Sequence, residues 1–158
     1  HGNIKSLIPE YIKKHTFFTN SDLKKLIDTR KLKDFDYIFV PAAISDYIPK
    51  KNKGKIKSGK EKLAIELKPA EKIIKNLRKR ASKSKIIGFK AEYKKENLIE
   101  NSFDLLKKNK LDYVVGNLIS GFNKSENEIF IVDKKKKSYS KKDTKENLAN
   151  FILDKVKW

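Results

Sequence analysis

The sequence contains no cysteine and no methionine, and its only histidines are His1 and His15. Without cysteine there is no disulfide, no zinc–thiolate centre and no thiol nucleophile. Two histidines so placed suggest neither a metal site nor a general base. Arginine is scarce as well: Arg30, Arg78 and Arg80 are all there are, so the formal net charge of +19 is almost entirely lysine. Such a charge invites a nucleic-acid partner. Base reading and phosphate forks favour arginine, however, and three are too few for that. A generally lysine-rich or heat-adapted surface accounts for the charge, and a basic nucleic-acid-binding module stays as the rival from another class. No apolar run approaches the ~18 residues of a membrane span, and no signal peptide is visible. The expectation is a cytoplasmic protein without a membrane partner. The absence of methionine in a chain starting at His1 reads as an amino end that is processed, truncated or incomplete.

A chain of 158 residues is enough for one domain with a real core. Apolar residues make up 38% and charged residues 37%, yet the apolar ones fall in compact blocks, which argues against general disorder. Thr16 to Thr19 reads as a short strand. Asn20 or Ser21 can cap a helix that sets Leu23, Leu26 and Ile27 on one face. Asp36 to Ile44 is nearly continuous apolar sequence, as in a parallel strand buried on both faces. The lysine-rich stretch 48–62, with Pro49, Gly54 and Gly59, reads as a loop. Leu63, Ile65 and Leu67 alternate as a strand should. Pro69 suits a helix start, and Ile73, Ile74, Leu77 and Ala81 mark that helix's inner face.

The alternation continues. Lys85 to Lys90 is a strand, Leu98, Ser102, Phe103 and Leu106 define a helix, and Asp112 to Val115 is a strand ending at Gly116-Asn117. Glu128 to Val132 and Ser138 to Ser140 read as a hairpin with a solvated tip at Lys134 to Lys137. Ser140 can cap a last helix with Leu148, Phe151, Ile152 and Val156 inward. Strands alternating with helices predict an α/β fold: Rossmann-like, three layers, a mostly parallel sheet with helices on both faces, and a carboxyl-terminal hairpin plus helix. No internal repeat or boundary divides it, so residues 1–158 are expected to form a single nucleotide-binding domain.

The block most informative about function is Phe39-Val40-Pro41-Ala42-Ala43-Ile44-Ser45-Asp46-Tyr47, followed by Gly54-Lys55-Ile56-Lys57-Ser58. Small residues at a strand's carboxyl end let a ligand approach the backbone, the acid can face a cation, and a glycine-bearing loop can carry lysines over phosphates. In open α/β sheets ligands sit outside the carboxyl ends of the strands. Gly88-Phe89-Lys90-Ala91-Glu92, Leu111-Asp112 with Asn117, Gly121-Phe122 with Asn127, and Ser140-Lys141 follow in order.

Together these segments resemble the phosphopantothenate–cysteine ligase family, over essentially the whole chain. Ala42 to Tyr47 is similar to the family's Ala-Ala-Val/Ile-x-Asp-Tyr segment, Lys55-Ile56-Lys57 to its Lys-Ile-Lys, and Gly88 to Glu92 to its Gly-Phe-x-Ala-Glu. Lys90 looks more archaeal than bacterial. Two departures stand out. Nothing resembles the glycine-rich, Asn-x-Ser-Ser-Gly segment that binds triphosphate at the family's amino end, so the chain looks like the family's carboxyl-terminal part. The positions of two nucleotide-contacting lysines in the bacterial pattern are held by Leu105 and Asn109, with Lys108 nearest the archaeal pattern.

The resemblance implies formation of 4′-phosphopantothenoyl-cysteine from 4′-phosphopantothenate and cysteine, driven by CTP through an acyl-cytidylate, with magnesium and as a homodimer. The same ligation with ATP is the alternative. It implies Lys55 as the key cation over the α-phosphate. Asp46 would hold magnesium or a nucleotide hydroxyl, since Mg²⁺ prefers a carboxylate plus phosphate oxygens; its other reading is a turn-forming Asp. Ala42 and Ala43 would offer backbone to the base and Phe89 would wall it, although strand packing explains all three as well. Lys108 would contact nucleotide. Lys57 and Asn117 would meet the acid substrate, Asn117 being equally suited to a turn.

Overall fold

The computed structural model describes residues 9–41, 44–51, 54–56, 58–59, 61–122 and 124–157. The chain runs α1 (Asn20–Asp28), β1 (Tyr37–Val40), β2 (Tyr47–Pro49), β3 (Leu67–Pro69), α2 (Ile73–Arg80), β4 (Lys85–Glu92), α3 (Leu98–Asn109), β5 (Tyr113–Leu118), β6 (Glu126–Asp133), β7 (Ser138–Thr144) and α4 (Lys145–Val156). It divides into two compact units: residues 1–30 with 43–73, and residues 31–42 with 74–158.

In the first unit, Thr16 to Thr19 forms no strand, and α1 follows directly at Asn20, as the helix was expected to. Thr19 accepts from the Asp22 amide at 3.1 Å, and the Asp22 carboxylate accepts from the Thr19 amide at 3.0 Å. This reciprocal capping box satisfies two donors that a helix start otherwise leaves open, so Thr19 is the cap, rather than Asn20 or Ser21. The Asn20 amide reaches on to the Ser45 carbonyl at 3.2 Å. β2 and β3 form a two-stranded antiparallel ladder, Tyr47 opposite Pro69. The Leu63–Leu67 alternation yields strand only from Leu67, and Pro69 closes that strand instead of opening a helix. Leu63 and Ile65 remain exposed.

The second unit holds a five-stranded sheet in the order β1-β4-β5-β6-β7. β1, β4 and β5 are parallel, with Val40 opposite Gly88 and Gly88 opposite Val114. β6 and β7 add antiparallel strands, Val115 opposite Ile131 and Ile131 opposite Tyr139. Successive side chains point to opposite faces, and the packing follows that parity. Ile87, Val115, Ile129 and Ile131 meet Leu148 and Val156 of α4, with Phe39, Phe89 and Tyr113 against the same cluster. On the other face an added Cβ at Gly116 would fall 2.9 Å from Leu98 and Ser102 of α3, and one at Gly88 would fall 3.8 Å from Ile74 of α2. Helices therefore cover both faces, the three-layer α/β/α arrangement expected of a buried parallel sheet.

Two sequence motifs prove to be packing devices. The Cβ that Gly88 lacks would stand 2.7 Å from Leu111 Cδ1, so the glycine admits a side chain of its own fold. Asp112, beside it in the chain, accepts from the Ile86 amide at 2.8 Å and is ion-paired to both Arg78 and Lys134. Arg78 also donates to the carbonyls of Lys110 at 2.8 Å and Ser84 at 3.1 Å. One guanidinium thus ties the end of α2, the end of α3 and the entry to β4 and β5, using the fork geometry that lysine lacks. Burial works to raise the Asp112 pKa, but Lys134, the Ile86 amide and Arg78 outweigh it and hold the carboxyl below its usual range.

The hairpin is longer than expected, and its tip is not simply solvated. The Lys135 and Lys137 amides both donate to Asp133 Oδ1 at 2.9 Å, closing the turn. Lys136, at φ +61°, sends its ammonium to Glu100, over the Phe103 ring. Ser140-Lys141 lies within β7 rather than at a helix start; Thr144 is the cap of α4, accepting from the Asn147 amide at 3.4 Å.

Candidate functional site

Asp46 and Lys55 belong to the first unit. Asp46 stands exposed just before β2, and its main-chain carbonyl accepts from the Ala70 amide at 2.8 Å, extending the β2–β3 pairing. The turn itself is made by Ser45, whose hydroxyl donates to the Tyr47 carbonyl at 2.6 Å. Among the described residues the Asp46 carboxylate takes no hydrogen bond, so the turn role anticipated for it belongs to its neighbour. Lys55 is exposed and follows Gly54, whose φ of +125° suits glycine alone. Ala42, Ala43 and Lys57 lie outside the described residues.

Phe89 and Asn117 belong to the second unit and come together. They line one cavity of about 410 Å³ between the sheet and α4, from Lys145 to Ile152. Both side chains leave the sheet on the α4 side, Phe89 near the carboxyl end of β4 and Asn117 near that of β5. Val115, Ile129, Leu148 and Ile152 supply apolar walls. Phe122, 51% exposed, stands at the opening, and Lys145 brings an ammonium from the first position of α4. Asn127 adds a second carboxamide; its Oδ1 accepts from the Glu128 amide at 2.8 Å. An added Cβ on Gly121 would lie 2.0 Å from that Oδ1. Glycine at 121 is therefore what lets Asn127 enter the cavity wall, which gives the Gly121-Phe122 with Asn127 motif a physical reading.

Lys108 sits on the exposed side of α3 and is not among the residues lining this cavity. On the same helix Asn109 is buried and donates to the Leu105 carbonyl at 2.9 Å. Lys145 and Ile152 were missed as cavity residues. Ile152 was legible only as core, and Lys145 depends on where β7 stops, which the sequence pattern set four residues too early. Near the same end of β4, Glu92 accepts from Asn101 at 2.7 Å and pairs with Lys90 at 3.2 Å. The Asn101 bond outweighs burial and, with Lys90, holds the Glu92 carboxyl below its usual value.

Chemically, the cavity offers apolar and aromatic walls, two carboxamides and one cation, a set suited to an uncharged chain with amide groups and an anionic end. No group of three or more His, Asp or Glu side chains gathers into a metal cage among the described residues. The open Asp46 carboxylate suits Mg²⁺ of the kind that is held by one carboxylate and by the oxygens of a phosphate ligand. No helix among the described residues is long and apolar enough to cross a membrane.

Comparison with known proteins agrees with this architecture. The chain is 37% identical over 157 residues to the coenzyme A biosynthesis bifunctional protein CoaBC of Methanocaldococcus jannaschii, covering 94% of this chain and 38% of that protein. It is 30% identical over 157 residues to the protein of the same name from Thermococcus kodakarensis, covering 96% of this chain and 39% of the relative. The chain thus spans about two fifths of the curated relatives it matches. The crystal structure of the DNA/pantothenate metabolism flavoprotein from Streptococcus pneumoniae superposes with a TM-score of 0.77 at 23% identity, over 89% of this chain and 70% of that one. The family model described as DNA/pantothenate metabolism flavoprotein C-terminal domain matches residues 1–158, and the chain belongs to that family.

Proposed function

We propose that this chain is the ligase part of a coenzyme A biosynthesis protein and joins 4′-phosphopantothenate to cysteine. The observation that carries the reading is the 37% identity to a coenzyme A biosynthesis bifunctional protein across 94% of the chain. The chemistry runs in two steps. A carboxylate oxygen of phosphopantothenate attacks the α-phosphorus of CTP, and pyrophosphate leaves. The cysteine amine then attacks the acyl carbon, loses a proton, and CMP leaves with the bonding electrons. Such chemistry needs positioning and cations more than covalent help from the protein.

Lys55 is the cation assigned to the α-phosphate. Lys57, Ala42, Ala43 and Lys108 keep the nucleotide- and substrate-binding roles implied by the family resemblance. Asp46 would hold magnesium, which neutralises triphosphate charge when bound. The cavity of the second unit takes the acid substrate: Asn117 and Asn127 offer hydrogen bonds to its amides, Lys145 an ammonium to its phosphate, and Phe89 walls the base side. A homodimer fits the first unit, where Tyr47, Ile56, Leu63, Ile65 and Leu67 are all exposed; apolar surface of this kind favours a covering partner. The proposed location is the cytoplasm.

The test is pyrophosphate release by the full chain with phosphopantothenate, cysteine and magnesium, with CTP in one arm and ATP in the other. Release that requires phosphopantothenate and is faster with CTP is expected. Faster release with ATP would replace the nucleotide and keep the ligase. No release in either arm, from folded protein, would remove the activity from this chain.

A further inference from the structure

At the opposite end of the sheet from the Phe89–Asn117 cavity lies a second recess of about 540 Å³, lined by Lys85, Asp112, Tyr113, Asp133, Lys134, Lys135, Lys137 and Tyr139. It is built from the entry points of β4 and β5 and from the β6–β7 tip. Asp112 is taken by Arg78, Lys134 and the Ile86 amide. One oxygen of Asp133 is taken by the two tip amides. Lys85 donates to the Val156 carbonyl at 3.1 Å, which fixes its stem in place. Among the described residues no carboxylate pairs with the ammonium of Lys85, Lys135 or Lys137. The Lys137 ammonium stands 5.0 Å from the centre of the Tyr139 ring, and that of Lys155 stands 5.0 Å from the same ring.

We infer that this recess is a second anion-binding site, for a compact ligand bearing more than one phosphate group. The recess is concave and of the size of a small-molecule site. Four lysines line it against two aspartates, Asp112 is already ion-paired to Arg78 and Lys134, and Lys85, Lys135 and Lys137 have no carboxylate partner among the described residues. Charge-assisted hydrogen bonds from such groups are the strong ones, and phosphate oxygens are their natural acceptors. A nucleic acid is the weaker candidate, because the lysines form a cluster rather than a stripe and no arginine is among the lining residues; Arg78, behind Asp112, is spent on that carboxylate and on main-chain carbonyls. The site uses none of the residues assigned to ligation and stands or falls without them.

Inorganic tripolyphosphate is the probe, read by backbone amide shifts of the full chain in NMR at constant ionic strength. Saturable shifts at Tyr113, Lys134 to Lys137 and Tyr139 are expected, with half-saturation at or below about 1 mM. The double variant Lys135→Glu with Lys137→Glu should weaken that binding by about tenfold or more, at an unchanged melting temperature. The milder Lys135→Ala with Lys137→Ala pair gives the same reading should charge reversal disturb the hairpin. Shifts that rise linearly without saturating, or that sodium chloride reproduces, would overturn the site. Binding of short single-stranded RNA at the same amides, tightening steadily with length and falling steeply with salt, would overturn the compact ligand.

Discussion

The two units of this molecule use the same alphabet to opposite ends. In the sheet unit, apolar residues run consecutively along strands covered on both faces and disappear inside: Ile86, Ile87, Val114, Val115, Ile131 and Val132 are all essentially inaccessible. In the other unit, Leu63, Ile65 and Leu67 alternate cleanly, yet are 52%, 59% and 55% exposed. Periodicity states which side chains share a face; it does not state what covers the face. The sheet covers its own faces with α2, α3 and α4, whereas β2 and β3 are three residues each and form a ladder too small to be stable alone. The sheet unit carries the apolar cavity, and the other unit carries the exposed ions Asp46 and Lys55.

The largest effect should come from the sparse unit and leave stability untouched. Lys55→Ala should slow pyrophosphate release by about 10²–10³-fold, the usual consequence of removing one group that stabilises transition-state charge. Because Lys55 is exposed, the melting temperature should not move. An unchanged rate in an active preparation would take Lys55 out of the mechanism. Asp46→Asn should instead raise the magnesium concentration needed for half-maximal rate, and identical magnesium curves would remove Asp46 as its holder.

In the sheet unit the order reverses, with stability moving first. Arg78→Leu takes one of three partners from Asp112 and removes the side-chain donor to the carbonyls of Lys110 and Ser84; breaking such a mostly buried pair costs about 3 kcal/mol. Urea unfolding would show it as a lower midpoint with the slope unchanged. A midpoint like that of the parent would mean that Lys134 and the Ile86 amide satisfy Asp112 without it. Gly121→Ala is the smaller perturbation: a Cβ 2.0 Å from Asn127 Oδ1 must push that side chain out of the cavity wall, at about 1–3 kcal/mol. In the assay it should raise KM for phosphopantothenate more than it lowers kcat. A KM that stays constant would separate Asn127 from substrate.

How much of this was legible beforehand follows the same division. The strands and helices of the sheet unit were readable because their period and their burial agree: the Leu98, Ser102 and Leu106 face is the buried face of α3. Helix starts were less legible, since Thr19 and Thr144 cap through geometry with Asp22 and Asn147 that several nearby polar residues could equally have supplied. Pro69 misled because a proline that suits a first helical turn also suits the edge of a two-stranded ladder. Phe89 and Asn117 were found by motif and meet in one cavity, but Lys145 had no local signal. The roles of Gly88 and Asp112 were invisible in sequence because their partners, Leu111 and Arg78, act through space rather than through spacing.

The smallest expected effect compares the two capping acids. Asp22 in the sparse unit and Asp143 in the sheet unit both sit at a helix start. The Thr19 bonds hold the Asp22 carboxyl below its usual value. For Asp143, hydrogen bonds from Asn147 at 2.8 Å and from the Thr144 amide at 2.8 Å, then the Lys141 ammonium at 3.1 Å, hold it down to about 2 from 3.8. A carboxyl depressed on folding stabilises the fold at every pH above its unfolded value, and that contribution fades as pH falls through its folded value. Asp143→Asn should therefore melt below the parent at neutral pH, with the gap closing as pH falls from 3.8 towards 2. Asp22→Asn should behave in the same direction, and a probe in α1 rather than in the sheet should report it. Parallel pH profiles for parent and Asp143→Asn would mean that the amide caps α4 as well as the carboxylate does, leaving Thr144 to hold the helix start alone.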